Sequence, residues 1–98
     1  MINRKPVKPW RSKKYREFVA DNPCLLCHRS GHTVPHHCRD IIKSGWGTKP
    51  GDQWCIPLCS ITREGREAPC HDIEQEQHII PVSEKLEFIA NSLNGWMK

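Results

Sequence analysis

Residues 24–37, CLLCHRSGHTVPHH, put two thiols and two adjacent imidazoles into one short segment. Cys24 and Cys27 form a C-x2-C knuckle, which sets two sulfurs on one tight turn at bonding distance from a single ion. Cys59 and Cys70 are the natural second pair, with ten residues between them that can loop out. Four thiolates suit one tetrahedral zinc ion. Cys38 and Cys55 remain, and each reads as a small buried hydrophobe. Either is an alternative to Cys59 or Cys70 in the ligand set. His28 and His32 read as turn residues, with His28 a further alternative ligand.

The length explains why such a clamp is expected. A chain of 98 residues is one small domain and removes only about 60 to 68% of its unfolded surface from water, so a stabilising device beyond the apolar core is needed. No apolar run approaches the roughly 20 residues that span a bilayer, and the basic N-terminus lacks the apolar segment of a secretory signal. The chain therefore reads as soluble and intracellular, with no membrane partner. In a reducing compartment six cysteines serve metal binding better than disulfides. A secreted, disulfide-linked protein would need an oxidising address that nothing in the N-terminus supports.

The flanks are organised simply. A helix is expected over residues 12–21, capped by Ser12, with Tyr15, Phe18 and Val19 on one face and Asn22-Pro23 ending it. Glycines and prolines break residues 24–59, leaving room for short strands at 33–37 and 53–57. Pro69 fits a first helical turn, and residues 70–78, CHDIEQEQH, read as a short helix. A final helix is expected over 83–94, with Ser83 as cap, Leu86, Ile89, Ala90 and Leu93 as its apolar stripe, and Gly95 as its stop.

Residues 1–16 hold seven of the fifteen Lys and Arg and no acidic residue. Residues 1–11 read as a basic arm preceding a single zinc-stapled domain at 12–98. Lys5, Lys8, Trp10, Arg11, Lys13 and Lys14 are candidate nucleic-acid contacts, because cationic side chains displace phosphate counterions and an indole stacks on bases. The plainer alternative is a solvated basic tail. His36 and His37 are consecutive, so on a strand they point to opposite faces and can do different work. On the short helix His71 and Gln75 share a face, with His78 a turn further on.

These blocks together (Cys24-x2-Cys27, Pro35-His36-His37, Gly45-x-Gly47-x-Lys49-Pro50-x-Asp52, Ile56-Pro57-Leu58-Cys59 and Cys70-His71) resemble the HNH, or His-Me finger, endonucleases. More narrowly, they resemble the small phage and prophage Ref-like and YbcO-like groups. The resemblance covers residues 24–78. It implies a small α+β protein with a ββα-metal core, a structural Zn2+ and one catalytic cation, Mg2+ or Mn2+. By the family pattern His36 and His71 would ligate that cation. His37 would be the general base, oriented by Asp52 or a nearby carbonyl, and Lys43 and Lys49 would lie near phosphate. The implied activity is hydrolysis of DNA phosphodiester bonds in phage recombination or DNA processing, in the cytoplasm of a bacterial host. A RecA-type recombinase filament is an implied partner. The relatives often carry a second histidine one turn along the helix, where this chain has Gln75, and their link between the last two cysteines is shorter. The competing reading is a noncatalytic zinc module that binds nucleic acid or protein with the same thiolate core and basic arm.

Overall fold

The computed structural model describes residues 9–41, 50–62, 64 and 67–97. Lys5, Lys8, Lys43 and Lys49, with the Gly45-to-Lys49 part of the sequence pattern, lie outside the described residues. The elements run α1 (Lys13–Ala20), β1 (Thr33–His37), a 3-10 turn (Asp52–Trp54), β2 (Cys55–Cys59), α2 (Cys70–Gln77) and α3 (Val82–Trp96). The architecture is a small α+β fold with a two-stranded antiparallel sheet and three helices.

α1 begins where Ser12 Oγ accepts the N–H of Tyr15 at 3.1 Å, satisfying a donor that the first helical turn leaves without a partner. Its end is closed from the side: Asn22 Nδ2 donates to the carbonyls of Phe18 and Val19. Thr33 Oγ1 donates to Ala20 O at 2.8 Å and ties the start of β1 to the end of α1.

β1 and β2 pair from Thr33↔Cys59 to His37↔Cys55, which sets Pro35 opposite Pro57. Two residues without an N–H can face each other only at a non-hydrogen-bonded pair of an antiparallel ladder. The flanking bonds agree in parity, Ser60 N–H to His32 O at one end and Cys38 N–H to Trp54 O at the other. β2 is buried throughout. It lies two residues later than the sequence suggests, at Cys55–Cys59 rather than 53–57, because Asp52, Gln53 and Trp54 coil into the 3-10 turn.

The core has two parts. Ile56, Leu58, Ile80 and Ile89 gather with the cysteine cluster; Tyr15 and Val19 gather with Cys55. Trp96 packs edge-on against Tyr15 at 5.5 Å between centroids and also covers Phe18, so α3 closes over α1 through aromatic contact. Tyr15 and Ser92 hydroxyls meet at 3.0 Å within the same seam.

α3 corrects the sequence reading three times. It starts at Val82 with Pro81, not Ser83, at the cap position, because proline's fixed φ already suits helix entry. Gly95 does not stop it; the helix continues to Trp96, which the aromatic seam holds. Its buried stripe is rotated: Leu86 is 43% exposed and Ala90 is exposed, while Lys85 and Ser92 are buried with Ile89. Lys85 takes the inward position because two carboxylates await it there. At α2, Pro69 sits at the cap rather than inside the first turn. No helix among the described residues is long and apolar enough to cross a membrane.

Candidate metal centre and histidine cleft

The knuckle forms as its spacing dictates. The Cys27 N–H points at Cys24 Sγ at 3.4 Å, and the His28 N–H closes the turn on Cys24 O at 2.8 Å. His28 takes a left-handed backbone, φ 64°, to let the chain leave the turn, and Gly31 and His32 follow with positive φ. The turn docks on the sheet through Leu25 N–H to Pro57 O at 2.9 Å. Cys59 at the end of β2 and Cys70 at the start of α2 complete the set. All four sulfurs lie within 4.8 Å of one another, with Cys27 and Cys59 at 3.3 Å.

Four thiolates around one tetrahedral ion stand roughly 3.8 Å apart at metal–sulfur bonds of about 2.3 Å, so the cluster fits a metal ion. The ten-residue link is no obstacle, because α2 packs against β2 and brings Cys70 to its place. Their protons are shared unevenly. Burial opposes a charge on Cys27, but the Arg29 N–H and the thiols of Cys59 and Cys24 outweigh it and lower its value. Burial and the neighbouring Cys24 push Cys70 up.

Cys38 and Cys55 stand outside this set, fully buried. Cys55 Sγ groups within 4.8 Å with His37 and Asp52, the composition of a nucleophilic triad. Its thiol is inaccessible and burial, reinforced by the Asp52 charge, pushes it up to about 12, so the thiolate that such chemistry requires is absent.

Beside β1 a cleft of about 880 Å³ opens, lined by Arg11, Arg16, Pro35, His36, His37, Arg39, Asp52, His71, Gln75 and His78. The two adjacent histidines enter it by different routes. His36 turns toward α2, its ring 4.7 Å from that of His71 and nearly perpendicular to it. His36 is only 8% exposed. Burial, then the His71 ring and the Lys85 charge, depress its value to about 4, which keeps it a neutral lone-pair donor.

His37 turns toward the 3-10 turn, with Nε2 2.9 Å from Asp52 Oδ1. Asp52 is fully buried. Its Oδ2 accepts the Ser12 N–H at 2.6 Å and Arg16 at 2.8 Å, and Arg11 stands 3.4 Å from Oδ1. Burial alone would raise its value, but His37, the Ser12 N–H and Arg16 outweigh burial and hold the carboxyl below its ordinary range.

Trp10 and Arg11, read as the end of a free arm, are bound to the domain. Asp52 N–H donates to Trp10 O at 2.8 Å, Arg11 donates to Pro50 O at 2.6 Å, and the Trp10 ring rests 5.1 Å from Tyr15. Lys13 and Lys14 are exposed on α1, outside the cleft lining. Arg16 and Arg39 line the cleft and were not singled out in the sequence. Arg39 lies in the turn beyond the end of β1, where no strand parity marks its direction. Three guanidiniums against one carboxylate give the cleft lining a net positive charge.

These features define a small α+β protein with a four-cysteine cluster beside a histidine- and arginine-lined cleft. The chain belongs to the DUF968 family, described as a protein of unknown function, whose pattern matches residues 1–94. It is also similar to the uncharacterized protein YdfU of Escherichia coli (strain K12), at 36% identity over 50 residues. That stretch is 51% of this chain and 14% of the length of YdfU. No solved structure matches significantly.

Proposed function

We propose that this chain is a metal-dependent endonuclease of the HNH type that hydrolyses DNA phosphodiester bonds, with β1, β2 and α2 as its ββα-metal core and a structural zinc on Cys24, Cys27, Cys59 and Cys70. The observation that carries the reading is the His37–Asp52 pair at 2.9 Å sharing one cleft with the His36–His71 pair.

An ionised carboxylate only accepts hydrogen bonds, so Asp52 fixes the His37 tautomer with its proton on Nε2 and its lone pair on Nδ1. Nδ1 takes the proton of the attacking water, as general-base catalysis requires. Arg11, Arg16 and Arg39 hold the phosphate by charge and hydrogen bonding, and the basic N-terminal residues extend that grip along the backbone. His36, held neutral, and His71 present ring nitrogens to one cation. A divalent ion bound there supplies Lewis-acid stabilisation of the charge that builds on the phosphate. Two imidazoles form a softer donor set than Mg2+ prefers, so a transition-metal ion such as Mn2+ fits better.

The test is cleavage of supercoiled and single-stranded DNA with Mn2+ and Mg2+, using folded His37→Ala as control. Cutting by the parent that is lost in His37→Ala supports the proposal. No cutting by a metal-loaded parent, or equal cutting by the variant, overturns it.

A further inference from the structure

The cleft lining includes a further histidine, His78, which pairs with a carboxylate outside the lining and which the reading above leaves idle. His78 caps α2 with φ 47° and ψ 51°, a left-handed turn that carries it into the cleft lining. Its Nδ1 stands 3.7 Å from Asp40 Oδ2. Asp40 is itself pinned by Lys85, whose Nζ also binds the fully buried Glu74 at 2.7 Å. Glu74 in turn accepts the Ile80 N–H just beyond His78. The turn and the carboxylate that orient His78 are thus fixed by one buried ammonium.

His78 is not set as a third ligand beside His36 and His71. Among the described residues those three make no cluster within 4.8 Å, whereas His78 clusters with Asp40 and Glu74. Lys85 stands between those carboxylates, where a cation would otherwise sit.

Resting on the nuclease reading, we infer that His78, oriented by Asp40, is the general acid that protonates the leaving 3′ oxygen. Water oxygen bonds to phosphorus and its proton passes to Nδ1 of His37. The P–O3′ bond breaks, its electron pair stays on oxygen, and that oxygen takes a proton from Nε2 of the His78 imidazolium. Nε2 is the nitrogen turned from Asp40. The products are a 5′-phosphate and a 3′-hydroxyl, and solvent restores both rings.

The test compares an ordinary oligonucleotide with one carrying a 3′-bridging phosphorothiolate, whose sulfur leaves without needing a proton. Asparagine and glycine both tolerate the left-handed turn, so His78→Asn and His78→Gly remove the acid and keep the helix end. On the oxygen substrate both variants slow by about 100-fold or more. On the sulfur substrate they stay within about 5-fold of the parent, and added imidazole restores His78→Gly on oxygen. Equal losses on both substrates in these variants, with no rescue, overturn the inference while leaving the nuclease reading intact. A parent that cuts neither substrate overturns both.

Discussion

Asp52 joins the cleft to the start of α1: Oδ1 meets His37 Nε2 at 2.9 Å while Oδ2 accepts the N–H of Ser12, the residue that caps α1, at 2.6 Å. One buried carboxylate therefore sets both a ring tautomer and a helix position.

Replacing Asp52 with Asn keeps its shape but gives His37 an amide that can donate as well as accept, so the wrong tautomer becomes accessible. DNA cleavage by Asp52→Asn falls by about 10⁴-fold, of the order that follows when a carboxylate partner of a catalytic histidine is neutralised. Combining it with His37→Ala costs nothing further, because the two act as one unit. Single-turnover cleavage rates of the two single variants and the double variant check this.

The cysteine cluster contributes folding free energy only with metal bound. Cys24→Ser and Cys27→Ser lose the bound zinc and the cooperative melt, while Cys38→Ala and Cys55→Ala keep full metal content. Metal analysis with thermal melts, before and after chelation, reads both halves of this expectation.

Lys85 is buried between Asp40 and Glu74. Its replacement by Met leaves two carboxylates without their cation and lowers stability by about 3 to 5 kcal/mol. Burial opposes the lysine charge, but the hydrogen bonds to Asp40 and Glu74 outweigh it and raise its value above the ordinary 10.5. A raised value contributes stability that is complete below the unfolded value and is lost as pH rises through the folded one. The parent's urea midpoint accordingly declines above about pH 10.5, and that share of the decline is missing in Lys85→Met.

Deleting residues 1–8 removes Arg4, Lys5 and Lys8 and leaves Trp10 and Arg11 docked. The slope of log binding constant against log salt flattens by up to about 3 for duplex DNA, and Arg39→Gln flattens it by about 1. The melting temperature of the deletion variant stays near that of the parent. Binding titrations at several salt concentrations provide the measurement.

Local signals were legible where one residue decides a local bond. Ser12 and Asn22 bracket α1, β1 spans the expected residues, and the C-x2-C turn forms with Cys59 and Cys70 beside it. What escaped the sequence depends on distant partners. Lys85 falls outside the stripe expected for α3; Asp40, 45 positions away, draws it inward, and that lysine rotates the whole stripe. β2 starts late because Asp52 is drawn inward by Ser12, Arg16 and His37, which no local propensity encodes. In the cleft, His36 and His37 stood out as neighbours, whereas Arg16 became visible only when α1 was laid beside the turn.

The facing prolines act as a registration mark. If β1 slid by one residue against β2, Pro35 and Pro57 would fall in neighbouring pairs of opposite type, so one of them would take a position that must donate to the ladder, leaving an opposing carbonyl unanswered. The same slip would turn each of the two adjacent rings to the opposite face of the strand, breaking the His37–Asp52 and His36–His71 pairs together. Two side chains with no hydrogen to donate thus decide which way each ring of the neighbouring pair faces.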